Sequence, residues 1–127
     1  MIIKRSIIVA GSRTTPKYIV DDALYDLFGA NLIEGVGLVP MDIVSGCALG
    51  ADSWGEQWAK ENGIPVTEFK ADWQHIGNRA GLVRNEEMAD YADMLIAFWD
   101  GESKGTKHMI NCMQKRMKNY MVFYFNE

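Results

Sequence analysis

The chain has 127 residues, 48% of them hydrophobic, and seventeen acidic against thirteen basic side chains leave a net charge of -4 at pH 7. That is the size of one domain with a real core, and the acidic balance excludes a protein whose whole surface wraps nucleic acid, though not a local basic face. Cys47 and Cys112 form no CxxC pair and are read as having no companion histidine at metal-ligand spacing, so neither a disulfide framework nor a metal site is indicated. With no signal-like leader, and no run near the roughly 18 apolar residues of a membrane span, the expectation is a cytoplasmic protein with no membrane partner.

Residues 6–10, Ser-Ile-Ile-Val-Ala, are an apolar run without alternation, which predicts a strand buried on both faces of a parallel sheet. It ends in Gly11, Ser12 and Arg13, a glycine, a hydroxyl and a guanidinium suited to seat a phosphate or carboxylate. Thr15 as N-cap and Pro16 at the first helical position start a helix. On it Ile19, Val20, Ala23, Leu24, Leu27 and Phe28 share the core face, while Asp21, Asp22 and Asp26 face water. A connection with Gly35 and Gly37 leads from Gly29 to Pro40, and a strand follows over residues 42–45. Next come a loop with Gly46 and Gly50, a helix begun by Asp52 or Ser53 and stopped at Gly63, and a second strand over 65–69.

This βαβ unit is the organising element of the chain. Small residues between strand and helix bring backbone N–H groups and the positive helix end towards an anion, so Ser45, Gly46, Cys47, Ala48, Gly50, Ala51 and Asp52 are candidate ligand contacts. Trp54 and Trp58, four apart, read as core side chains, and Cys47 reads as a buried cysteine rather than a nucleophile.

Residues 70–81 read as a polar and aromatic loop at the binding edge, carrying Trp73, His75 and Arg79, with His75 taken as a hydrogen-bonding loop residue. A helix over 82–92 carries Arg84 and Asn85 near its start. The apolar strand 94–99 ends in Trp99 and runs into a second glycine loop with Asp100, Gly101, Ser103, Gly105 and Thr106. A helix with Met109, Ile110, Met113 and Met117 on one stripe and a strand over 120–125 complete the pattern. Five strands alternating with four helices predict a single α/β, Rossmann-like domain: a mainly parallel five-stranded sheet in the order 3-2-1-4-5 with helices on both faces. The loops at 11–13, 46–52 and 100–106 then converge at the switch point between strands 1 and 4. None of these loops is a GxGxxG or a GxxxxGK[ST], which disfavours an NAD-dependent dehydrogenase and a P-loop NTPase.

The segments Gly11-Ser12-Arg13, 45–52, Ala71-Asp72-Trp73, 81–89, 97–101 and 103–110 resemble, in order and spacing, the motifs of the YspA/YpsA-related branch of the SLOG superfamily. The resemblance implies the Rossmann-like fold of the LOG phosphoribohydrolases and the DprA/Smf proteins, a nucleotide or nucleotide-derived ligand such as ADP-ribose, and a homodimer. Relatives often carry a glycine where Cys47 stands and an arginine where Leu49 stands, so anion binding is expected to rest on Arg13, Arg79 and Arg84. The expected function is a sensor, sequestering or processing protein. It holds a nucleotide or nucleotide-sugar phosphate on the loops at 11–13, 46–52 and 103–106, with Asp52 or Asp100 on ribose hydroxyls and Trp73 or Trp99 beside the base.

The LOG-type arginine matches Arg84. The LOG-type glutamate falls on Met109, which can neither carry charge nor take a proton, so classical phosphoribohydrolase activity is not expected and no catalytic residue or further cofactor is assigned. One alternative is a phosphoribohydrolase-like enzyme of altered chemistry, with Glu86, Glu102 or Asp100 in place of that glutamate; the other is a DprA-like binder of single-stranded nucleic acid. It is suggested by the likeness of 45–52 and Arg84-Asn85 to the DprA segments and by Lys104, Lys107, Lys115, Arg116 and Lys118 in a stretch without acids.

Overall fold

The computed structural model describes residues 1–126. Five strands, β1 (Ile2–Gly11), β2 (Gly37–Ser45), β3 (Val66–Glu68), β4 (Met94–Trp99) and β5 (Asn119–Tyr124), form one sheet in the order β3-β2-β1-β4-β5. Every neighbouring pair is parallel. The fold is thus the α/β, Rossmann-like domain that the strand-helix alternation implies.

The unbroken apolar run of β1 splits by parity between two cores. Ile7 and Val9 join Val20, Leu24, Phe28, Trp58 and Ala59 on one face. Ile8 and Ala10 join Met88, Ala89, Met109, Ile110 and Met113 on the other. The strand begins four residues earlier than its burial signal, because Ile2 to Arg5 are exposed and only pair with β2. Their register shifts between Arg5 and Ser6, opposite Pro40, which has no N–H to give the ladder.

On the first face lie α1 (Lys17–Leu24), a π-helical turn (Tyr25–Gly29), α2 (Ala30–Glu34) and α3 (Ala51–Glu61). The stretch expected to be a connection from Gly29 onward is helical as far as Glu34 and ends at Gly35, whose φ of 70° is left-handed. Gly29 does not break this helix: it takes helical angles, φ -56° and ψ -52°, and leaves room for the Tyr25 ring, whose Cδ2 would stand 2.9 Å from a Cβ there. Thr15 does not cap α1. Pro16 holds the capping position and the Thr15 hydroxyl donates to Ser12 O at 2.6 Å. Asp21, read as solvated, is half-buried and pairs with Lys17 one turn back.

The opposite face carries α5 (Ala80–Tyr91) and α6 (Lys104–Lys115), and a short α4 (Trp73–Ile76) interrupts the stretch expected to be a loop. No helix among the described residues is long and apolar enough to cross a membrane. The chain leaves β1 towards the first face and β4 towards the second, and a crevice opens between these departures.

Candidate functional site

Gly11 makes the crevice possible. A Cβ at this position would lie 2.2 Å from Phe98 O, so only glycine lets the end of β1 approach the end of β4. Ser12 then ties the loops together. Its N–H donates to Phe98 O at 2.9 Å, its carbonyl accepts from Thr15 and Ala51, and its hydroxyl accepts from Asp100 N–H at 3.2 Å. Asp100 Oδ1 takes the N–H groups of Glu102 and Ser103, which hold its carboxyl below the usual carboxylate range. Ser103, so placed, caps α6 by accepting from Thr106 N–H at 3.4 Å.

The crevice is a cleft of about 320 Å³. Among the anticipated residues, Gly11, Arg13, Ala48, Asp52, Trp73, Arg84, Asn85, Ser103, Gly105 and Thr106 line it. An adjoining hollow of about 420 Å³ shares Arg13, Ala48, Trp73 and Arg84 as walls and adds Gly46, Cys47, Leu49, Lys70 and Ala71.

Other anticipated residues build the walls from behind. Ser12, Gly50 and Ala51 lock the loops together, Gly101 makes the left-handed turn before α6 with φ 86°, and the Ser45 hydroxyl donates to Glu56 at 2.6 Å. Trp99 is turned away from the cleft, its indole N–H donating to Ser103 O at 3.0 Å and its ring lying against Tyr124. Arg79 is exposed at the end of a 3-10 turn (Gly77–Arg79) and borders neither cavity. Asn78, Gly81, Leu82, Met88 and Met109 line the cleft without having been singled out as ligand contacts; Gly81 and Leu82 stand within a turn of Arg84, which is the signal that would have found them.

The loop at 46–48 uses its N–H groups internally. Asp52 folds back from the first turn of α3 so that Oδ2 accepts from Gly46 at 3.1 Å and Ala48 at 3.4 Å, while Cys47 N–H goes to Ser45 Oγ. Arg84 closes the arrangement. Its Nη1 donates to Gly46 O at 3.0 Å, and Nε and Nη2 reach Asn85 Oδ1. Terminal N–H groups of the guanidinium remain for the cleft. Asn85, 4% exposed, also donates to Gly105 O and to His108 Nδ1. Cys47 adopts φ 63° and its thiol is pushed up to about 11, by burial first and then by Glu68, so it carries no thiolate at neutral pH.

Burial pushes the Asp52 carboxyl up to about 6, against the pull of the Ala48 N–H, Arg84 and the Gly46 N–H. The folded chain therefore keeps this proton to higher pH than the unfolded chain, whose ordinary value is 3.8. Between these values folding takes up a proton, so stability falls as pH rises and levels off above about 6, a loss of roughly 3 kcal/mol from this group. Asp52→Asn keeps an acceptor for the two N–H groups and removes the charge. Urea denaturation at pH 4 and pH 7 is expected to show the variant gaining on the wild type as pH rises; an unchanged difference would show that the carboxylate is not desolvated.

Comparison with known proteins agrees with this architecture. A family model described as "YspA, cpYpsA-related SLOG family" matches residues 5–75. The chain is 37% identical over 121 residues to the Gene 61 protein of Mycobacterium phage D29, covering 90% of this chain and 90% of that protein. Among solved structures it is similar to DNA processing protein A from Helicobacter pylori, described for its single-stranded DNA binding mode. The TM-score is 0.62 at 21% identity, over 94% of this chain and 64% of the other, a likeness of fold.

Proposed function

The chain belongs to the YspA, cpYpsA-related SLOG family, and from that membership we propose that its cleft binds a nucleotide or nucleotide-derived ligand of the nucleoside-phosphate, NAD or ADP-ribose type. One observation carries the reading: Arg13, Arg84 and the uncovered first turn of α6 at Gly105 face the same cleft. No atom lies within 4 Å of the point where a Gly105 Cβ would stand, so an anion has access to the helix end and the arginine forks together. The volume of about 320 Å³ lies at the lower end of the roughly 300–1,000 Å³ usual for small-ligand sites. Trp73, half exposed and shared by cleft and hollow, offers a face for the base.

With the 46–48 N–H groups taken by Asp52 and Ser45, phosphate rests on the arginines and α6 rather than on that loop. Met109 lines the cleft where a LOG-type enzyme would need its carboxylate, so the protein acts as a sensor, or a sequestering or processing protein, without LOG-type cleavage.

Calorimetry with ATP, GTP, NAD, ADP-ribose and cyclic nucleotides tests the reading. At least one is expected to bind, and Gly105→Val, which fills open space at an exposed helix position, is expected to abolish that heat while leaving the melting temperature within a few degrees. No heat from any of them would end the proposal.

A second reading is single-stranded DNA binding, which the fold neighbour suggests. Of the five basic residues after Ser103, Lys115 and Arg116 pair with Glu86 and Asp90, and Lys118 caps the carbonyls of Ala89, Asp90 and Ala92. Lys104 and Lys107, exposed on the first turn of α6, remain for a strand. A gel shift that weakens steeply with salt and is lost in Lys104→Glu/Lys107→Glu is the expected signature of this mode.

A further inference from the structure

Behind the cleft, three side chains from α5 and α6 meet with their donor atoms facing one another. Cys112 Sγ lies 3.4 Å from Glu86 Oε1 and 3.6 Å from His108 Nε2, and His108 Nε2 lies 3.8 Å from Glu86 Oε1. A tetrahedral zinc ion has bonds of about 2.3 Å to sulfur and about 2.0–2.2 Å to nitrogen and oxygen, which spaces its donors roughly 3.3–3.6 Å apart. The three observed separations come within a few tenths of an ångström of those edges. We propose that Glu86, His108 and Cys112 form a three-ligand site for a divalent transition ion of the zinc type, with the fourth position open to water.

His108 and Cys112 stand four apart on α6, so both project from one face, and His108 is the companion histidine that Cys112 was read as lacking. Cys112, 1% exposed, is the buried member of the cluster, which is reachable past Glu86 and His108, about a third and a quarter exposed. Arg116 holds the other carboxylate oxygen of Glu86 at 2.5 Å, which orients Oε1 towards the cluster. Lys115, bound to Oε1 at 3.0 Å and two-thirds exposed, swings into solvent when the ion arrives. Binding displaces the thiol proton of Cys112 to solvent. His108 takes the ion through Nε2 in the tautomer with its proton on Nδ1, so the Asn85 amide gives up its contact with Nδ1 and keeps those with Arg84 and Gly105 O. A nitrogen, a sulfur and a single carboxylate favour zinc, cobalt or nickel over magnesium or calcium, which take oxygen ligands.

None of the three donor residues lines the cleft, and cobalt alone is the probe. Titrating Co²⁺ into the reduced full chain is expected to give, at one ion per chain, a near-ultraviolet thiolate-to-cobalt band and visible bands of tetrahedral intensity, both removed by Zn²⁺. Cys112→Ser is expected to remove the thiolate band, and His108→Gln, at a part-exposed position that keeps folding intact, to weaken binding more than about a hundredfold. Cys47→Ser, which disables the other thiol cluster with Glu56 and Glu68, is expected to leave the spectrum unchanged. The proposal is overturned if no thiolate band forms at excess cobalt, if His108→Gln binds cobalt as tightly as the wild type, or if the band disappears in Cys47→Ser.

Discussion

Gly50→Ala is expected to destabilise the fold by roughly 3 kcal/mol or more, a large effect for one methyl group. Gly50 has φ 77° and ψ -126°, a conformation that L side chains avoid. The added Cβ would stand 2.4 Å from Ser12 O and 2.5 Å from Arg13 O, both backbone atoms. Ser12 cannot retreat, because its carbonyl accepts from Thr15 and Ala51 and its N–H is bound to β4. Urea denaturation reads the loss as a lower midpoint at unchanged m-value. A variant within about 1 kcal/mol of wild type would mean that the two loops are not locked together. Gly105→Ala is the contrast: with open space around it on an exposed helix, it is expected to gain a few tenths of a kcal/mol up to about one.

Arg84→Ala is expected to weaken the cleft's ligand by roughly 1.5–3 kcal/mol, about ten- to a hundredfold or somewhat more in Kd, through loss of a charge-assisted fork to phosphate. It also removes the bond to Gly46 O and the support of Asn85, so a stability cost of about 1 kcal/mol accompanies it. In addition, Asp52 loses a positive neighbour and its carboxyl rises further. Calorimetry on Arg84→Ala and Arg84→Lys separates charge from geometry, because lysine restores the first and not the fork. Affinity equal to wild type in the alanine variant would place the anion elsewhere.

What the sequence made legible was set by local chemistry. The runs at 6–10 and 94–99 carry no alternation, and strands of that kind have to be buried on both faces, which forces helices onto both sides. From there the strand order and the meeting of the three loops follow. Residues 29–37 misled because three glycines look like breakers, whereas Gly29 takes ordinary helical angles beneath the Tyr25 ring and of the three only Gly35 and Gly37 take a positive φ. Asp52 was legible as a helix-start acid but not as the internal partner of Gly46 and Ala48, a bond that depends on how the loop folds back. Trp99 reads as a base platform until Ser103 O is seen to claim its indole. Glu86 could not be joined to His108 and Cys112 from spacing, since the three meet only when α5 docks on α6.

The central position of β1 also governs how the chain reaches this structure. Its partner β4 is distant, as the Ser6 N–H bond to Asp93 Oδ2 across 87 residues shows. During synthesis β1 and β2 can pair early, but the other edge of β1, with Ile7 to Ala10, stays open until β4 leaves the ribosome. An apolar strand edge waiting that long is a template for the strands of neighbouring nascent chains. Fragments that stop before Met94 are therefore expected to aggregate rather than fold, and the distant parallel pairing places the intact domain among the slower small folders.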